Sequence, residues 1–143
     1  MAFGQAPSWA STLEEKIKGE YPGWTIKILE NDVNRDAGNY RLSVSKNGEE
    51  SRADIYWFGY TDQQNLIDTF NAHWKFHLQN FPKDKEVPLK TFGDEDHLMV
   101  RPDGQGWDLL MFRRGKAIVK IWGYSKMAAK KLASVIDREI AKN

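Results

Sequence analysis

The sequence contains no cysteine, which excludes a disulfide framework, a thiol nucleophile and any thiolate metal site. No apolar run approaches 18 residues, so no segment reads as a membrane-spanning helix. An excess of one charge is missing as well. Lys and Arg total 21, Asp and Glu 20, and the formal net charge is +1. A uniformly basic surface is thereby ruled out, and nucleic acid is not the expected partner. There is no Gly-rich phosphate loop with its Lys and no Gly-x-Ser-x-Gly nucleophile elbow.

What remains is an ordinary domain with many aromatics. The chain has 143 residues, 41% hydrophobic, 29% charged and 13% aromatic, six of them Trp. That length supports one self-standing core, so residues 1–143 are read as a single domain. The start, Met-Ala-Phe-Gly-Gln-Ala-Pro-Ser-Trp, is small and polar. It reads as the beginning of a mature exported protein, its signal peptide removed, with residues 1–7 disordered. An extracytoplasmic location, periplasmic or secreted, is the expectation, and a native cytosolic start is the alternative.

Charge is unevenly placed. Residues 113–143 carry a net +7 and residues 1–112 a net −6. Such asymmetry either steers an anionic partner or is neutralised by pairing within the domain, and pairing is the favoured reading.

Periodicity supplies the elements. Trp9, Leu13 and Ile17 mark a helix over 8–20, with Ser11 or Thr12 as candidate caps. Trp24, Ile26 and Ile28 face one way along a strand, and Tyr40, Leu42 and Val44 along another. Asn47-Gly48 then turns a hairpin whose return strand runs from Ala53 to Phe58. A long helix over 62–80 follows, with Thr61 as N-cap and Leu66, Ile67, Phe70, Trp74, Leu78 and Phe81 as its apolar stripe. Lys83 to Lys90 is a charged linker. A short strand at 97–101, a hairpin of 107–113 with 116–122, and a basic amphipathic helix over 126–141 complete the chain.

Trp57-Phe58-Gly59-Tyr60-Thr61 and Ile121-Trp122-Gly123-Tyr124-Ser125 echo one another, each leading from a strand into a helix. The expected fold is α+β: elements in the order αβββαβββα, an antiparallel sheet, and helices packed on it as in an α/β/α sandwich. Several strands are apolar on both faces, yet only three helices exist to cover them. Part of one aromatic face is therefore expected to stay open. Tyr56, Trp57, Tyr60, Phe76, Trp107, Trp122 and Tyr124 are the candidate contact residues.

Two further constellations carry chemistry. His73 and His77 lie one helical turn apart and, with His97 or a nearby carboxylate, could hold Zn or Cu. The alternative is two structural histidines and no cofactor. Gly93-Asp94-Glu95-Asp96-His97 places three acids beside a histidine, a candidate acid/base centre.

Residues 92–140 carry a further pattern. Phe92-Gly93-Asp94-Glu95, a polar turn, Phe112-Arg113-Arg114-Gly115-Lys116, Ile118-Val119-Lys120-Ile121 and then Leu132-Ala133 in a last helix follow one another. This resembles small extracytoplasmic bacterial modules, lipoprotein-attached and sensor-type. The order of elements is similar to the Mog1/PsbP-like sandwich. The chain departs from the pattern at Asp96, usually a small residue, and at Lys116, frequently Asn. The resemblance implies an exported, non-catalytic module and transfers no active-site residue.

The expectation for function is thus a non-enzymatic exported binding module. It would recognise a partner protein or a small apolar ligand through an aromatic sheet face. The alternatives are a metal-binding protein using His73 and His77, and a small acid/base enzyme using His97. A free sheet edge could also pair two copies of the chain.

Overall fold

Short runs of alternating apolar and polar residues build a seven-stranded sheet, antiparallel at every pairing. The computed structural model of the protein describes residues 6–87, 89–102 and 108–142. In chain order the elements are α1 (Trp9–Glu20), β1 (Thr25–Asn31), β2 (Gly38–Lys46), β3 (Glu49–Trp57), α2 (Gln63–Asn80), β4 (Lys85–Val87), β5 (Glu95–Val100), β6 (Asp108–Arg114), β7 (Ala117–Gly123) and α3 (Lys126–Ala141). The strand order is β1-β2-β3-β7-β6-β5-β4. Two meanders therefore meet where β3 pairs with β7, with β1 and β4 as the free edges.

The two faces are covered differently. On the first, Tyr40, Leu42, Val44, Ala53, Ile55, Val119 and Ile121 join Trp9, Leu13 and Ile17 of α1 and Leu132, Val135, Ile136 and Ile140 of α3 in one core. On the second, Leu66 and Phe70 of α2 pack on Met111 and Ile118, with Tyr56, Phe58 and Trp74 at the margin. Fully burying a Leu or Phe side chain contributes roughly 1.5–3 kcal/mol. These few side chains suffice to hold α2 over the β5–β7 side.

Several expectations need correction. The order is αβββαββββα, because Lys85–Val87, expected in a linker, is a strand paired with Leu98–Val100. The N-cap of α2 is Asp62, whose carboxylate accepts from Asn65 N–H, and not Thr61. Ser11 and Thr12 do not cap α1; both hydroxyls donate to the Ser8 carbonyl from inside the helix. Leu78 and Phe81, expected in the apolar stripe, are each more than a third exposed, while His77, expected within that stripe, is buried, with the Phe81 ring 4.9 Å away. Of the segment expected to be disordered, Ala6 packs on the core and the Pro7 carbonyl accepts from Ala10 N–H. Residues 1–5 lie outside the described residues.

The echo of two strand exits has a steric basis. A Cβ at Gly59 would overlap the Arg35 carbonyl oxygen, and one at Gly123 would come within 2.7 Å of Ala129 N. Both glycines are needed for close backbone approach. The capping half of the echo holds only for Ser125, whose hydroxyl accepts from Ala128 N–H.

Candidate functional site

The structure divides the seven aromatic candidates. Trp57 points to the first face, edge-on to Trp9 at 6.0 Å, and its indole N–H donates to the Arg35 carbonyl. Tyr60 (74% exposed) lies beyond the end of β3 and its hydroxyl accepts from Arg35. Phe76 (66% exposed) is on the solvent side of α2, not under the following loop. Tyr124 lies between β7 and α3, beside Glu49, with its phenol raised chiefly by burial. Trp107 lies outside the described residues. Only Tyr56 and Trp122 remain together on the second face, both half-buried.

Around these two, the β1–β3 side of the second face has no helix over it among the described residues. Cross-strand register organises it in rows. Arg41, Asp54 and Lys120 stand opposite one another across β2, β3 and β7; Ser43, Arg52 and Trp122 form the next row. Asp54 is buried, and its carboxylate accepts from Arg41 Nε at 3.0 Å and from the Tyr56 hydroxyl at 3.4 Å. Arg52 Nε donates to Glu50 at 2.7 Å. Leu29 of β1 is 57% exposed. Together Leu29, Arg41, Leu42, Arg52, Asp54 and Trp122 line a depression of about 320 Å³.

Lys120 is the unusual member. It is half-buried, and its ammonium lies 5.9 Å from the centre of the Tyr56 ring. Among the described residues it has no hydrogen bond or ion pair. Burial pushes its pKa down, and the Asp54 charge only partly offsets that. His73 of α2 stands at the border of the open region, 5.7 Å from the Tyr56 ring. Burial, then the charge of Lys120, lowers its pKa.

The three histidines do not form one group. His77 Nε2 is 3.0 Å from Asp84 Oδ2, whereas His73 turns to Tyr56. His97 stacks on Trp74 at 4.0 Å, with Nδ1 2.6 Å from Glu86 Oε1. Its buried Nε2 lies 3.3 Å from Glu95 Oε2 without hydrogen-bond alignment. Among the described residues no three His, Asp or Glu are placed to share a metal ion.

The acid/base triad also needs revision. Asp94 accepts from Gly115 N–H, and Asp96 accepts from the N–H groups of Lys90, Thr91 and Phe92. Both are turn acceptors. The carboxylates beside His97 are Glu95 and the unanticipated Glu86. Glu86 was hidden in the supposed linker, and no local pattern marks it.

Sequence reasoning also missed Arg41, Arg52, Asp54 and Lys120 as neighbours. A signal existed. Lys120 is the one charge of β7, and Asp54 the one charge in the run from Ala53 to Phe58, on the face that carries Tyr56 and Trp122. No family model, curated protein or solved structure matches the chain. No helix among the described residues is long and apolar enough to cross a membrane.

Proposed function

We propose that the protein is a non-enzymatic binding module. Its ligand is a small molecule with an apolar body, seated on the β1–β3 side of the second sheet face. The carrying observation is the uncovered depression of about 320 Å³ between Leu29 and Trp122. Small-ligand sites start at roughly 300 Å³ and combine apolar walls with a few placed polar groups. Asp54, fixed by Arg41 and Tyr56, is such a group. A non-catalytic reading is supported by the engagement of Asp94 and Asp96 with backbone N–H groups. The resemblance of residues 92–140 to bacterial extracytoplasmic modules supports a setting outside the cytoplasm.

The test is an NMR titration with a library of apolar fragments, reading indole N–H resonances. The largest shifts are expected at Trp122 and at the backbone of Leu29 and Tyr56, and are lost in Trp122→Ala. Shifts gathered at Trp57, or none at Trp122, overturn the reading.

A further inference from the structure

The sheet ends in two edges of unequal length. Strand β4 has three residues, whereas β1 offers seven, Thr25–Asn31, with no proline among them. Among the described residues the backbone of β1 makes no hydrogen bond to a turn or loop. Its outer N–H and C=O groups are therefore a template for another strand. Ile26 and Ile28 pack on the core but stay half-buried, so a further strand would cover them more fully.

Two features of β1 ordinarily blunt an edge, a lysine and a bulge. Ile28 stands opposite Leu42 and Glu30 opposite Arg41, so Leu29 is an extra residue. Its side chain is 57% exposed. A bulge spoils the register with a regular strand, but two strands that carry the same extra residue match one another. The bulge also places charge. Lys27 and Glu30 are three residues apart, and in a regular strand they would face opposite ways. The extra residue turns both to the second face, Lys27 opposite Ser43 and Glu30 opposite Arg41. Ile26, Ile28 and Asn31 face the other way, opposite Val44, Leu42 and Tyr40.

We infer that β1 pairs antiparallel with β1 of a second copy of this chain. The two-fold axis is normal to the sheet and passes between Ile28 and Leu29. In that register Lys27 meets Glu30 of the second copy, and Glu30 meets its Lys27, on one shared face. Ile26 meets Asn31 on the other. One lysine and one glutamate, placed symmetrically about the axis, make the edge complementary to itself, as a closed two-fold contact requires. Glu30 has room for this partner, since its contact with Arg41 is 4.0 Å long and both side chains are well exposed. Leu29 of each copy lies at the axis and is covered by the other. The two sheets become one continuous sheet. Seven residues a side make a small interface, so a dissociation constant on the order of 10 µM is expected. The inference concerns the edge of the sheet and goes beyond the ligand reading of its face.

Sedimentation of the full chain from about 10 µM to about 1 mM tests it, with the parent, Lys27→Glu and Glu30→Lys. The parent is expected to dimerise. Either substitution sets like charges opposite each other at both symmetric positions and weakens association about tenfold or more. Mixed in equal amounts, the two variants associate again, because every charge of one then meets its opposite in the other. The indole resonance of Trp57, on the first face, checks that each variant is folded.

A parent that stays monomeric at about 1 mM overturns the inference and leaves the edge to an extended segment of a different protein. A dimer that neither variant weakens lies elsewhere on the molecule and overturns it too. So does a mixture of folded variants that stays monomeric, because the register is then wrong. None of these outcomes touches the open-face reading, which stands or falls with the fragment titration at Trp122.

Discussion

His73 ties the helical and open parts of the second face together, and its ionisation is written into that position. Its ring is half-buried beside Tyr56, and burial, then Lys120, lowers its pKa from the ordinary 6.5. The unfolded chain therefore takes up this proton at a higher pH than the folded one does. Stability from the neutral ring is complete above about pH 6.5 and declines as pH falls below it. His73→Gln keeps a polar side chain and removes the titration. Thermal unfolding at pH 7.5 and pH 5 should show a smaller loss of Tm in the variant than in the parent. An equal loss in both would place the acid sensitivity elsewhere. At this scale the sequence was partly legible. The i, i+4 spacing of His73 and His77 correctly puts both near one face. It does not say that one turns to Tyr56 and the other to Asp84, because those partners come from β3 and from the segment just before β4.

Among the elements, helix starts differ most from the sequence reading, and the reason is local. Thr61 and Asp62 are both good N-cap types, and the choice is decided by which backbone takes the extended conformation. Asp62 does, with ψ of 164° and its carboxylate 2.8 Å from Asn65 N. Replacing an N-cap Asp by Ala costs about 1 kcal/mol. Asp62→Ala should lose about that much in urea unfolding while Thr61→Ala stays within about 0.5 kcal/mol of the parent. The reverse order would restore Thr61 as the cap. The last helix was legible over its whole length, because Ser125 caps it and Leu132, Val135, Ile136 and Ile140 repeat at helical spacing. Strand β4 was not legible. Lys85-Glu86-Val87 is too short to show alternation. Two pairs also tie this segment to the rest, Asp84 with His77 and Glu86 with His97. The site row of Arg41, Asp54 and Lys120 was hidden for the same reason. It exists only through the register of β2, β3 and β7, and β7 reaches β3 from more than sixty residues along the chain.

For the molecule as a whole, folding joins the two oppositely charged sequence regions through two ion pairs and spends other basic residues on partners nearer by. Arg113 pairs with Glu95 at 3.1 Å and Arg138 with Glu20 at 2.7 Å. Arg114 grips the buried Asp137 through two hydrogen bonds, and Lys142 meets Glu139. Lys116 donates to the Gly59 carbonyl, and Lys131 lies 4.4 Å over the Tyr21 ring. Lys120 on β7 is half-buried opposite Asp54, with no direct hydrogen bond or ion pair among the described residues. Its lowered pKa means that the folded chain holds the charged form less comfortably than the unfolded chain does. Removing the charge should therefore help folding when no ligand is present. Lys120→Met is expected to raise Tm at pH 7, on the order of 2 °C for a half-exposed site. A fall in Tm would instead make the ammonium a contributor to the fold through Tyr56 and Asp54.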